Sequence, residues 1–209
     1  MEELERQYLI SYYDKRVGIL GETPAALGWS PKGQRARYEA ALELFGPADL
    51  EGASLADYGC GMGDFYGFLA EKVIRADYRG FDINPGLVEI ARRRYPGASF
   101  GVLDVDESRL PRDCDFALIC GVFNQRIEGA AAAARRCVER IWGQTKRALV
   151  FDVLSGDSSD TPDISLHYWS PRDLFDFGVT LPGASASVVE SLTGGGLILC
   201  LRREQCTDS

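Results

Sequence analysis

The residues best suited by type and spacing to do chemistry run Asp57-Tyr58-Gly59-Cys60-Gly61-Met62-Gly63-Asp64-Phe65. Glycines at alternate positions permit positive φ and bring bare backbone N–H groups against a ligand. The spacing is G-x-G-x-G. It differs from the G-x-G-x-x-G of dinucleotide folds and suits a ligand without a pyrophosphate. Asp57 opens the turn, where a carboxylate attracts an ammonium group directly or through water. Asp82 closes a second apolar run, a position from which a carboxylate accepts both hydroxyl protons of a ribose. Asp104 closes a third, where it can accept from an exocyclic adenine amine while the backbone of Val105 meets the ring edge. An aspartate at a strand end is also a common turn former and helix cap. Three of them in register with one glycine turn point into a single crevice.

Those positions require a parallel sheet with crossover helices. From residue 53 onward, short apolar runs alternate with amphipathic segments. Strands are expected at Ala53–Tyr58, up to Phe81-Asp82, at Ser99–Leu103, at Phe116–Cys120 and at Ala148–Leu154. The helix after the glycine turn carries Phe65, Phe68, Leu69 and Val73 on one face. Asn84-Pro85 reads as an N-cap and first helical position, with a stop at Tyr95-Pro96-Gly97. An alanine-rich helix presents Ala134, Cys137, Val138, Ile141 and Trp142. Ser170-Pro171 starts a helix carrying Leu174, Phe175 and Phe177. Ala186–Ser191 and Leu197–Leu201 flank Thr193-Gly194-Gly195-Gly196, a turn so short that only an antiparallel hairpin fits. Ser30-Pro31 begins a helix to about Phe45, within an N-terminal segment (1–45) expected to cap the sheet. The predicted fold is thus α/β: a doubly wound, Rossmann-like seven-stranded sheet, mostly parallel, with a C-terminal antiparallel hairpin. Residues 1–209 form one domain in this reading.

Composition narrows the partners. With 209 residues and a net charge of −8, the chain has little material for a basic face that tracks phosphates. The runs Arg92-Arg93-Arg94 and Arg135-Arg136 lie on predicted helices, where a solvated surface explains them. A small molecule is therefore expected as partner, and nucleic acid is not. No apolar run is long enough to span a membrane. The acidic start Met1-Glu2-Glu3 lacks the features of a signal peptide, so a cytoplasmic location is expected. Six cysteines (Cys60, Cys114, Cys120, Cys137, Cys200 and Cys206) form no C-x-x-C pair, and His167 is the only histidine. Zinc spacing is absent, and small buried thiols are the reading for most of them.

The order D-x-G-x-G-x-G, then Gly80-Phe81-Asp82, then Leu103-Asp104-Val105, then Gly121-Val122-Phe123-Asn124 resembles class I S-adenosylmethionine-dependent methyltransferases. The likeness covers residues 53 to 154, and the terminal hairpin agrees with that family's reversed last strand. Leu27-Gly28-Trp29, Gln34, Arg37 and Ser170-Pro171 are similar to a subset of small bacterial members. The resemblance implies that Asp57, Gly59 and Gly61 hold the methionine moiety, Asp82 the ribose, and Asp104 with Val105 the adenine. It places Cys60, Ile83 and Cys120 beside them. Metal dependence, as in catechol methyltransferases, would need acids and an asparagine after the fourth and fifth strands. Cys120-Gly121 and Asp152-Val153 stand there, so no metal is expected.

Methyl transfer from a sulfonium is an in-line displacement that rests mainly on positioning, worth roughly 7–11 kcal/mol. A base is needed only when the acceptor has a proton to lose. His167, between the fifth strand and the next helix, has the pKa class of a general base, or is an ordinary hydrogen-bonded loop histidine. Asn124 either orients an acceptor or caps the next segment. Arg37 either clamps a carboxylate of cofactor or substrate or lies on a charged helix surface. Trp29, with Tyr8, Tyr12 and Tyr13, either forms a lid with cation–π contact to the sulfonium or packs the N-terminal segment. Ser155–Asp160 is polar and suits a lid that orders on binding. The expected function is S-adenosylmethionine-dependent methyl transfer to a small-molecule acceptor. The alternatives are a non-catalytic adenosyl-binding module, a nicotinamide-dependent oxidoreductase and a protein methyltransferase.

Overall fold

The computed structural model describes residues 3–111, 113–156, 163–190 and 195–204. Seven strands form one sheet: β1 (Ser54–Tyr58), β2 (Asp77–Asp82), β3 (Ser99–Val102), β4 (Cys114–Cys120), β5 (Thr145–Leu154), β6 (Ala184–Glu190) and β7 (Gly196–Arg203). Their order is β3-β2-β1-β4-β5-β7-β6. The first five run parallel, and β7 enters antiparallel between β5 and β6. Chain order reverses between β1 and β4, so a crevice opens beyond their carboxyl ends. Ligands of such sheets bind there.

The helices that flank the sheet are α2 (Pro31–Phe45), the short α3 (Pro47–Leu50), α4 (Asp64–Glu71), α5 (Pro85–Arg94), α6 (Ala130–Trp142) and α7 (Pro171–Gly178). One face of the sheet packs against Ala41, Leu42 and Phe45 of α2, Phe65, Phe68 and Leu69 of α4, and Val88 and Ala91 of α5. The other packs against Ala134, Val138, Ile141 and Trp142 of α6 and Leu174 and Phe177 of α7. This is the doubly wound arrangement, with cores on both faces.

The helix starts follow local rules. Ser30, Asn84 and Ser170 each accept a backbone N–H three residues on, at 3.0, 3.1 and 3.0 Å, and each is followed by proline at the first helical position. Two expectations need correcting. Val73 is not on the buried face of α4: it lies past the helix end with φ 60° and is exposed. Phe175 is also exposed, because α7 turns only Leu174 and Phe177 inward. The hairpin turn at Thr193-Gly194, the stretch 157–160 of the expected lid, Ser191 and Cys206 lie outside the described residues.

Ahead of the sheet, α1 (Glu3–Leu20) and a 3-10 turn (Pro24–Leu27) lead into α2. Arg16 donates to the carbonyls of Ala25 and Ala26, folding α1 back on that turn. Asn84 Nδ2 donates to Ile10 O (3.3 Å) and Asp14 Oδ1 (2.8 Å), which fixes α1 across the carboxyl end of β2. No helix among the described residues is long and apolar enough to cross a membrane.

Candidate cofactor and acceptor site

The glycine turn leaves β1 at Tyr58 and is pinned to β2 through its own backbone. Gly59 N and Cys60 N donate to Phe81 O at 2.7 and 3.0 Å, and Gly61 N donates to Asp82 Oδ2 at 2.9 Å. Gly59 and Gly61 have φ of +81° and +54°. A Cβ on Gly59 would overlap Val122 Cγ2, and one on Gly61 would fall 2.9 Å from Leu27 Cδ1. Both the backbone conformation and the space therefore demand glycine.

Asp57 lies beneath this turn, buried, with its Oδ2 accepting from the Tyr78 hydroxyl at 2.6 Å. Burial lifts its carboxyl to about 7; the Tyr78 hydrogen bond pulls the other way, while the charges of Asp82 and Asp64 push it further up. Among the described residues no basic side chain reaches it. Its acidic neighbour Asp64 is, by contrast, paired with Arg94 at 2.7 Å.

Asp82 and Asp104 stand at the next two strand ends. Asp82 accepts from Gly61 N and, through Oδ1, from Asn84 N at 2.9 Å. Burial raises its carboxyl, partly offset by these backbone donors. Asp104 Oδ1 accepts from Asp106 N at 2.8 Å, and its Oδ2 accepts from Arg6 of α1, which also pairs with Glu107 at 2.7 Å. A carboxylate has about four lone-pair sites, so each acid keeps acceptor capacity for a ligand.

One cavity joins these groups. It runs from Asp104, Val105 and Cys137, past Asp82 and Ile83, along Gly59 and Gly61, to Trp29, Cys120 and Gly121. Leu9, Ile10 and Tyr13 of α1 close it from above. Tyr13, lifted to about 12 chiefly by burial, stays a neutral phenol. The Cys60 and Cys120 thiols are pushed well above their usual range by burial and nearby carboxylates, so neither is a thiolate at neutral pH. Among the described residues no group of three or more metal-ligating side chains occurs.

At the far end, the edge of the Trp29 indole presses on Gly121, where a Cβ would overlap the ring. Its face covers the Arg37 guanidinium at 4.9 Å. Arg37 does clamp a carboxylate, but the protein's own. It is 3% exposed and ion-paired with Asp152 of β5, and it does not line the cavity. A guanidinium that far from water needs an internal counter-ion, which leaves no carboxylate-clamping arm for a ligand. Asp152 is raised to about 6 by burial against the pull of Arg37.

His167 and Asn124 are brought together through the backbone: His167 N donates to Asn124 O at 2.9 Å. The His167 ring meets Trp169 edge-on at 5.2 Å. Burial and the charge of Arg126 lower its pKa, leaving a neutral imidazole at pH 7. Asn124 Oδ1 is buried with no hydrogen-bond partner among the described residues. Neither side chain lines the cavity, and neither do Asp57 and Cys60; Trp29, Gly59, Gly61, Asp82, Ile83, Asp104, Val105 and Cys120 do.

Three participants escaped the sequence: Tyr78 beneath Asp57, Arg6 on Asp104, and the Leu9-Ile10 wall. An apolar Leu9-Ile10 step beside Tyr12-Tyr13 was the one available hint that α1 buries an edge rather than lying in solvent.

Comparison with known proteins agrees with this geometry. A family model described as a methyltransferase domain matches residues 55–141, which hold the glycine turn and all three strand-end acids. The chain is 28% identical over 129 residues to Rv1506c of Mycobacterium tuberculosis, which carries a methyltransferase name; the match covers 59% of this chain and 76% of that protein. Among solved structures it resembles magnesium protoporphyrin IX methyltransferase from Synechocystis with bound S-adenosylmethionine. The TM-score there is 0.72, with 17% identity and 96% of each chain covered. It also resembles DhpI in the DhpI-SAM-HEP complex, with TM-score 0.70, 19% identity and 97% and 99% coverage. The matched stretch, the sheet topology and the glycine turn agree with one another: residues 55–141 match a methyltransferase domain, and the fold is shared with solved S-adenosylmethionine-dependent methyltransferases.

Proposed function

We propose that the chain methylates a small, uncharged or cationic molecule, with its cofactor along the cavity beneath α1. Asp57 would attract the cofactor's ammonium group, and the bare backbone of Gly59 and Gly61 would lie against its methionine portion. Asp82 would accept from the ribose hydroxyls. Asp104 and the backbone of Val105 would meet the adenine edge, with Ile83 and Cys120 as walls. The residues fit such a group, since Gly59 and Gly61 line the cavity without side chains and the acids keep free lone pairs. When bound, the cofactor supplies an electrophilic methyl carbon on sulfur.

The observation that carries this reading is the continuity of the cavity from Asp104 past Asp82 and the glycine turn to Trp29 and Gly121. At that last end this chain's residues have three tasks: admit the acceptor, exclude water and orient the attacking atom. Trp29 closes the space, and Gly121, Val122 and Phe123 wall it. Neither Asn124 nor His167 lines the cavity, so no step is assigned to either; an acceptor that loses no proton needs no base.

The charge of the lining supports the acceptor class. Asp82 and Asp104 are taken up by the cofactor in this reading and Asp106 pairs with Arg136 at 3.2 Å, so the acceptor class rests on what is missing: among the described lining residues there is no lysine, arginine or histidine. A carboxylate or phosphate acceptor would enter without a counter-charge. By its name, the Synechocystis relative acts on magnesium protoporphyrin IX; the lining here is the reason to look elsewhere for this chain.

Two measurements test the proposal. Calorimetry is expected to show binding of S-adenosylhomocysteine and none of NAD. Transfer of labelled methyl from S-adenosylmethionine is expected to neutral and amine-bearing small molecules ahead of carboxylates and phosphonates. Preferred labelling of the anionic acceptors would refute the acceptor class, and absence of S-adenosylhomocysteine binding would refute the cofactor site.

A further inference from the structure

Asp57 presents a difficulty for any role toward a cationic ligand end. It is buried, and it faces other acids. From the glycine turn and α4 it is approached by Cys60 and Asp64, from β2 by Asp82 and Tyr78, from α2 by Tyr38, and from β4 by Cys120. Apart from Tyr78, every one of these groups either disfavours the carboxylate or leaves it unaided. Yet a neutral carboxyl there would neither attract an ammonium group nor hold a fixed orientation.

The sheet register supplies the remedy. Tyr78 pairs with Leu55, two residues below Asp57, and Asp57 itself pairs with Gly80. Gly80 has no side chain, and a Cβ there would fall 2.6 Å from the Phe100 ring and 3.0 Å from Cys60 Sγ. Side chains of a strand lean along its direction, so the tyrosine can run up the sheet past Gly80. Its hydroxyl then reaches Asp57 Oδ2 at 2.6 Å. Rings of Tyr66 at 5.2 Å and Phe100 at 5.8 Å fix the Tyr78 ring. A hydrogen bond to an ionised acceptor is roughly twice as strong as one between neutral groups, so the phenol favours the charged form of Asp57.

We propose that Tyr78 is a positioning residue of the cofactor site: its phenol favours the charged form of Asp57 and aims that carboxylate at the positively charged amino-acid end of the cofactor. This rests on the reading of Asp57 given above. Tyr78 does not touch the cofactor and acts only through the carboxylate.

The test measures S-adenosylhomocysteine affinity by calorimetry from pH 5.5 to 8 for the parent chain and for Asp57→Asn, Tyr78→Phe and Tyr66→Phe. In the parent, affinity rises with pH to a plateau. In Asp57→Asn that rise vanishes and plateau affinity drops. In Tyr78→Phe the curve keeps its shape but its midpoint moves up by about one pH unit, which lowers affinity at pH 6 by roughly tenfold and leaves it still rising at pH 8. Tyr66→Phe, a ring of the same aromatic cluster without the hydrogen bond, leaves the midpoint in place. If Asp57→Asn behaves as the parent does, the role of Asp57 is wrong. If Asp57→Asn loses the rise but Tyr78→Phe leaves the midpoint unmoved, or lowers affinity equally at every pH, the Tyr78 assignment alone is overturned. Thermal unfolding in parallel shows that each variant is folded.

Discussion

At the scale of single residues, the site is a set of acids whose environments differ. Asp82 already serves the turn, accepting from Gly61 N and Asn84 N, and in the proposed site would serve the ribose as well. Asp82→Ala is therefore expected to weaken S-adenosylhomocysteine binding by about 10- to 150-fold, each lost hydrogen bond to a charged group being worth about 1.5–3 kcal/mol; unchanged calorimetric affinity would remove Asp82 from the site. Asp57 makes a pH prediction of definite sign. Its carboxyl titrates at about 7 in the folded chain against 3.8 as its ordinary value. Between those values the unfolded chain has released the proton and the folded one has not, so this group's contribution to stability falls as pH rises from about 4 to 7. A bound cationic end reverses the preference. The gain in melting temperature on adding S-adenosylhomocysteine should thus be larger at pH 7.5 than at pH 6, and an equal gain at both would contradict it.

At the scale of elements, legibility followed distance along the chain. The glycine turn and the Ser30-Pro31, Asn84-Pro85 and Ser170-Pro171 helix starts are local devices, readable from a few consecutive residues, and they stand where expected. Asp82 and Asp104 were readable because strands end where apolar runs end. Arg37 was not. Its partner Asp152 is 115 residues away, and no helical pattern tells an arginine that faces solvent from one that faces a strand. Nor was Tyr78, whose role needs the register that sets it level with Leu55. The Arg37–Asp152 pair ties α2 to β5 with side chains 3% and 2% exposed. Arg37→Met, which leaves a buried carboxylate unpaired, should cost about 3–5 kcal/mol in urea unfolding, and adding Asp152→Leu should recover most of that. A single variant within about 0.5 kcal/mol of the parent would show the pair to be idle.

At the scale of the whole molecule, the sheet is a shelf with the candidate site along one edge, and α1 lies over that edge. Two contacts hold it near the acids. Asn84 caps α5 and also reaches back to Ile10 and Asp14, while Arg6 bridges Asp104 and Glu107. The apolar side chains of α1 meet the cavity with Leu9, Ile10 and Tyr13, whereas Leu4 and Ile19 stay in solvent. A helix with so little buried surface of its own is held in place by what it touches rather than by its own propensity.

The Arg6 bridge is expected to set a clock as well as a shape. With the cofactor in the proposed cavity, product and fresh cofactor would pass the edge that α1 covers, and the pace of exchange would depend on how often an ion pair near the surface lets go. Added salt screens such a pair, and turnover should quicken between about 50 and 300 mM salt until some other step takes over. Arg6→Ala should already run at the faster pace in dilute buffer and lose most of the salt response. Should stopped-flow release of S-adenosylhomocysteine prove equally fast in both proteins at every ionic strength, the helix would be a fixed roof and the clock would lie elsewhere.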